Sequence, residues 1–301
     1  IQIYSMRKFT LRGLVLMLSL SMGINASAES IGVKTKAVYS YGAMLDGGYS
    51  QLPTGVVRSF YDADNRLARV VEADIMLADS EGTPEVEVPG QEIPKLYSNY
   101  EYDAEGRLQK IRTRKYGIYS AFDRAWTDYA DAEVYEYDTN GKLVKKTDAT
   151  YITTYKWEGE NLVEETAHYT KDGAWGSTIR YTAFAEGKNN QPLSALFSDK
   201  WKNNRVYEYA YDEVGNKTLF NEYKVTNAET DETGAVVKGD KGMLYKQTVW
   251  TYTDGVLAEE QIGFWNSSKN EVEPDSKVTY TVNGDTTSVA TFRYYNGQWS
   301  T

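Results

Sequence analysis

The chain has 301 residues, a formal charge of −10, no cysteine and a single histidine. Without cysteine there are no disulfides, CxxC redox pairs or Cys–His nucleophiles, and one histidine excludes multi-histidine zinc sites. An acidic chain is also a poor match for nucleic acid or anionic membrane surfaces, both of which need a basic footprint.

In chain order, Met6-Arg-Lys-Phe-Thr-Leu-Arg12 is a basic segment, Gly13 to Met22 is apolar, and Ala26-Ser-Ala28 is a small-x-small site. This is the pattern of a secretory signal peptide, and the apolar run is too short for a spanning helix. Residues 1–28 are therefore predicted to be upstream residues plus a signal, with the exported protein starting at Glu29. Loss of Arg7, Lys8 and Arg12 with that signal takes the formal charge from −10 to −13. The predicted location is periplasmic or extracellular, with no integral membrane segment after cleavage.

Residues 31–57 read as a lead-in, a first degenerate hairpin or a cap. A repeated unit then begins. Tyr61-Asp-Ala-Asp-Asn-Arg-Leu67, Tyr100-Glu-Tyr-Asp-Ala-Glu-Gly-Arg-Leu108 and Tyr135-Glu-Tyr-Asp-Thr-Asn-Gly-Lys-Leu143 share one construction. Asp opens a type I turn and Gly (or Asn65) supplies the left-handed residue that closes it, the three-residue hairpin loop with a bulge. That register places Tyr61, Tyr102 and Tyr137 opposite Leu67, Leu108 and Leu143. It places Asp62, Asp103 and Asp138 opposite Arg66, Arg107 and Lys142. Each such cross-strand pair contributes roughly 0.2–1 kcal/mol.

Two shorter copies, Trp157-Glu-Gly-Glu-Asn-Leu162 and Tyr252-Thr-Asp-Gly-Val-Leu257, keep the aromatic–Leu partnership if Gly159-Glu160 and Asp254-Gly255 form two-residue loops. Worn copies follow: Tyr209 to Gly215, with Leu219 two places late; Tyr181 to Leu193, with a long loop; and Tyr280 to Asp285, with an Asn-Gly turn. Residues 78–94, acidic and carrying Pro84, Pro89 and Pro94, read as a protruding loop. Residues 227–242 also break the rhythm, with Ala235-Val-Val237 a short strand at their centre.

No stretch shows helical apolar periodicity. Roughly seven or eight hairpins imply on the order of fifteen strands, more than an open twisted sheet carries without curling. The predicted fold is all-β, an array of antiparallel β-hairpin repeats forming an elongated, curved or open solenoid-like sheet. One domain is expected over residues 29–301. These Tyr-x-Tyr-Asp units, alternating with Trp-containing segments, resemble the tyrosine–aspartate repeats of the RHS/YD class and the tyrosine-rich secreted proteins of Gram-negative bacteria. The resemblance spans residues 56–292. It implies a β-hairpin architecture and carries no implied activity.

Between hairpins lie Trp126, Trp175, Trp201, Trp265 and Trp299. Rings at such positions either pack over the hairpin faces or form an exposed stripe that stacks on a ligand. His168 lies on an apparent strand with no nucleophile-elbow motif near it. The acid pairs Asp62/Asp64, Glu158/Glu160, Glu164/Glu165 and Asp231/Glu232 are explained by turns, ladders and solvated faces as well as by glycoside hydrolysis. The Asp turns lack EF-hand spacing. The predicted protein is not an enzyme and takes no cofactor. It is an exported binding module for a glycan or a cell-envelope or host protein, nominally through those five tryptophans; the alternatives are a self-assembling envelope component and a carboxylate-dependent glycosidase.

Overall fold

The computed structural model describes residues 4–10, 34–40, 53–76, 91–118, 124–188, 190–283 and 286–300, and every element in them is a β-strand. The expected apolar run and cleavage site of the signal, Gly13 to Ala28, lie outside the described residues. The chain divides into two compact units, residues 1–132 with 280–290 and residues 133–279 with 291–301.

The first unit contains β1 (Tyr4–Thr10), β2 (Lys34–Ser40), β3 (Gly55–Tyr61), β4 (Leu67–Met76), β5 (Gln91–Tyr102), β6 (Leu108–Ile118) and β7 (Arg124–Trp126). From β1 to β7 each strand pairs antiparallel with the next. The lead-in is thus a hairpin arm, β2 against β3. Residues 91–94, expected in a loop, instead begin β5. Pro94 is accommodated because it sits beside a bulge opposite Ala73, where a missing N–H costs the ladder least. Residues 78–90 of that expected loop lie outside the described residues. Ala37, Val56 and Ala73 form the buried cluster of this unit, with Tyr39 and Ile75 against it.

The second unit is built from β8 (Ala130–Tyr137), β9 (Leu143–Asp148), β10 (Tyr151–Glu158), β11 (Asn161–Tyr169), β12 (Trp175–Phe184), β13 (Pro192–Asp199), β14 (Arg205–Tyr211), β15 (Lys217–Thr230), β16 (Val236–Thr253) and β17 (Val256–Asn266). It continues with β18 (Glu271–Asn283), β19 (Thr286–Tyr295) and β20 (Gln298–Ser300), although residues 280–290 of that stretch, like residues 130–132 of β8, belong to the first unit. From β8 to β18 every consecutive pair is again antiparallel. The all-β array of antiparallel hairpins is the fold.

The predicted registers hold residue by residue. Tyr61 pairs with Leu67, Tyr102 with Leu108 and Tyr137 with Leu143, each beside a bulge. Trp157 pairs with Leu162 and Tyr252 with Leu257 around two-residue loops. Within the turns one carboxylate does several jobs. The Oδ1 atom of Asp103 accepts from the backbone N–H of Glu105 (3.1 Å) and Arg107 (2.8 Å), and Oδ2 accepts from Arg107 Nε at 2.7 Å. Gly106, at φ +79°, closes the turn by donating to the Asp103 carbonyl. In Asp62, Asp138, Asp212 and Asp231 the Oδ1 atom likewise accepts from the N–H four residues on. Burial opposes ionisation of Asp62, Asp103 and Asp212, and the turn hydrogen bonds outweigh it; in Asp138 those bonds lead. All four carboxylates titrate below their ordinary range.

One worn copy and one segment expected to break the rhythm prove regular. Tyr211 pairs with Lys217, so a lysine fills the place of the repeat leucine, and Leu219 takes the next paired position, opposite Ala210 across the bulge. Residues 227–242 do not interrupt the array. Asp231 to Ala235 form a further copy of the Asp turn, joining the extended ends of β15 and β16. That end packs on β13 and β14, where Val236 is 1% exposed against Leu196 and Val206.

Successive hairpins are coupled by the tips of the repeat aromatics. Tyr102 donates to the carbonyl of Leu67 at 2.9 Å, and Trp157 Nε1 to that of Leu143 at 2.8 Å. Tyr252 donates to that of Lys217 at 3.1 Å. In each case the acceptor is the leucine-position residue of an earlier hairpin. A half-buried ring with a polar tip turned inward needs such a partner, and the ladder carbonyls of the bulged pair supply one.

Candidate binding cleft

In the second unit, the β17–β18 turn and the β19–β20 turn enclose a cleft of about 840 Å³. Both turns are short and polar because each needs left-handed residues: Asn270 at φ 55° in the first, Asn296 and Gly297 at φ 49° and 80° in the second. Asn266 shapes the first turn, its Oδ1 accepting from the N–H of Ser268 at 3.0 Å. The aromatic lining is Phe264, Trp265, Tyr294 and Tyr295, with Tyr295 72% exposed. Asn266, Ser267, Ser268 and Asn296 add amides and hydroxyls.

The charged groups of the cleft are already matched. Glu273 accepts from Asn266 Nδ2 at 2.7 Å and from Lys269 Nζ at 2.9 Å, and Asp275 accepts from Arg293 at 3.0 Å. Those bonds, Asn266 first, hold the Glu273 carboxyl below its ordinary range. Next to the cleft, the spacing between β17 and β18 is tight. A Cβ on Gly263 would lie 2.6 Å from Val272 Cγ1 and 2.9 Å from the Glu273 carbonyl, so only glycine lets β17 and β18 approach here.

The five nominated tryptophans have different surroundings. Trp265 lines the cleft and Trp299 stands against Tyr294, ring centroids 5.1 Å apart. Trp201 is 63% exposed on the β13–β14 turn, with the Lys200 ammonium 4.7 Å from its ring. Trp175 is half-buried and donates to Thr178 Oγ1 at 2.9 Å. Trp126 is half-buried in the first unit between Tyr97 and Tyr116, and the Arg114 guanidinium lies over Tyr97, Trp126 and Tyr129. Sequence reasoning did not single out Tyr294 or Tyr295, and it met Asn266 and Asn296 as neighbours of Trp265 and Trp299 in the tryptophan-bearing segments. The Asn-Gly turn at 296–297 and the aromatic pair before it were the available signal.

His168 pairs with Ile152 and Trp175 in the ladder. Among the described residues no cluster of histidine and acids suits a metal. Of the acid pairs, Asp62 and Asp64 both bind Arg66. Glu164 binds Arg180, while Glu165 accepts from the Tyr181 hydroxyl at 2.5 Å. Asp231 is held down to about 2 by the Thr233 hydroxyl and, against partial burial, by the Arg180 guanidinium. No helix among the described residues is long and apolar enough to cross a membrane.

No family model and no curated protein matches the chain. Among solved structures, the TcdB2–TccC3–Cdc42 complex is similar at 13% identity and a TM-score of 0.28, covering 84% of this chain and 14% of that one. The chain thus spans a small part of that protein's length. A porin-like protein from Bacteroides uniformis is similar at 11% identity and a TM-score of 0.29, covering 97% of each chain.

Proposed function

We propose that the chain is an exported, non-catalytic binding protein and that its ligand is a glycan held in the cleft between the β17–β18 and β19–β20 turns. The observation that carries this reading is the lining itself: aromatic rings beside amides and hydroxyls, with the cleft's own carboxylates and cations paired to one another. Rings offer faces to the C–H surfaces of sugars, and amides and hydroxyls exchange hydrogen bonds with sugar hydroxyls. The bonds from Asn266 and Lys269 keep the Glu273 carboxylate ionised, the opposite of the protonated state a general acid needs, which favours binding over hydrolysis. Export rests on the basic, apolar and small-residue pattern of residues 6–28.

A glycan panel read with the purified chain tests it. At least one oligosaccharide binds without being cleaved, and Tyr295→Ala, which removes a ring the fold leaves exposed, weakens that binding about tenfold, roughly 1.4 kcal/mol. Absence of binding across the panel, or binding indifferent to Tyr295→Ala, overturns the proposal.

A further inference from the structure

Strands β14 and β15 set Arg205 directly opposite Lys224. Residues paired in this way project from the same face of the sheet, and like charges so placed destabilise it. Among the described residues neither has an acidic partner. Arg205 donates to the Asn204 carbonyl at 2.9 Å and lies over the Tyr245 ring, 4.7 Å from its centroid, and Lys224 is exposed. The cations from β16 to β18, between this pair and the cleft, are matched instead. Lys246 binds Glu222, Lys241 binds Glu208, Lys269 binds Glu273 and Lys277 binds Glu259. In a chain with a formal charge of −10, two adjacent cations without a carboxylate mark a place where something else supplies the negative charge.

That place is continuous with the cleft. Tyr245 stands edge-on to Phe264, ring centroids 5.8 Å apart, and Phe264 lines the cleft. Both rings are exposed, Tyr245 at 39% and Phe264 at 37%. From β18 to β14 is four strand steps, about 19 Å. The path therefore runs from an aromatic cleft whose own charges are paired, over two exposed rings, to a guanidinium–ammonium pair.

We infer that Arg205 and Lys224 form an oxyanion subsite of the cleft, so that the ligand is an acidic glycan. This rests on the cleft being a glycan site. A sugar ring lies over Tyr245 and Phe264, and a carboxylate or sulfate on that chain is held by the planar guanidinium, with Lys224 as a second point charge. Because Arg205 is stacked on Tyr245 before any ligand arrives, little side-chain freedom is lost on binding.

The test compares three tetrasaccharides on the full chain by calorimetry: tetragalacturonate, its methyl ester, and a sulfated tetrasaccharide of otherwise neutral sugars. At least one acidic chain binds about tenfold or more tightly than the neutral ester. That advantage shrinks as salt rises from about 0.05 to about 0.5 M, and it vanishes in the Arg205→Gln, Lys224→Gln double variant while affinity for the ester is unchanged. Which acidic chain gains identifies carboxylate or sulfate as the recognised group. Equal binding of acid and ester, insensitive to the double variant but still weakened by Tyr295→Ala, overturns the subsite and leaves the glycan cleft standing. No binding by any of the three, or by any glycan of the panel, overturns both.

Discussion

The Tyr252 hydroxyl donates to the main-chain carbonyl of Lys217 at 3.1 Å, across 35 residues of sequence. Tyr102 makes the same bond to Leu67, also 35 residues away, and Trp157 makes its version to Leu143. Lys217 thus occupies a leucine position in backbone geometry as well as in register. Its side chain adapts to the site: the ammonium lies 5.0 Å from the Tyr209 ring centroid and 5.7 Å from that of Trp250. Burial pushes the ammonium below its ordinary range.

Tyr252→Phe keeps the ring and leaves the Lys217 carbonyl without this donor. The expected loss is about 1 kcal/mol, read as a lower urea midpoint at unchanged slope. Tyr102→Phe is expected to cost a similar amount, since its bond to Leu67 is the same device. A midpoint unchanged in both variants would show that water replaces the hydroxyl without cost.

The hairpins were legible in the sequence because their turn chemistry is local. Asp at the first position and a left-handed Gly or Asn at the fourth specify the loop, and the bulge then fixes Tyr102 opposite Leu108. The copy at 231–235 escaped notice because Thr230 and Val236 stand where the aromatic and the leucine should be. Lys217 escaped because hydrophobicity was the marker and its long stem mimics it. The cleft was only half legible. Trp265 could be nominated from composition, but Tyr295 and Asn266 come together through two separate turns, and no spacing in the chain records that meeting.

The Asp231 turn gives a pH signature. The folded-state value is about 2, below the ordinary carboxylate value of about 3.9. A depressed value means that the folded chain binds fewer protons than the unfolded one in that interval. Its stabilising contribution is therefore complete above about pH 4 and is lost as pH falls through about 2. The bonds at stake run from Arg180 Nη2 to Asp231 Oδ2 (2.7 Å) and from the Thr233 hydroxyl to Oδ1 (2.6 Å). Asp231→Asn should lower stability at pH 7 and flatten its fall between pH 4 and 2. Proteolysis is expected to cut first in residues 231–235, where the β15–β16 end loosens from β13 and β14. Parallel stability–pH curves for the variant and the parent would show that Asp231 does not carry this dependence.

Gly263 links the fold to the cleft. It faces Pro274 in the ladder, where the register between β17 and β18 shifts, and the Val272 methyl and Glu273 carbonyl fill the space where a Cβ would stand. Alanine there forces the two strands apart by several tenths of an ångström, and overpacking of this kind costs about 1–3 kcal/mol. The displaced strand carries Glu273, whose two carboxylate oxygens are the anchors for Asn266 and Lys269 in the first cleft turn. Gly263→Ala should therefore weaken glycan binding and lower stability together, whereas Tyr295→Ala should weaken binding alone. Calorimetric affinity plotted against denaturation midpoint for the two variants separates these outcomes. Full affinity in a destabilised Gly263→Ala protein would show that the β17–β18 spacing does not position the cleft.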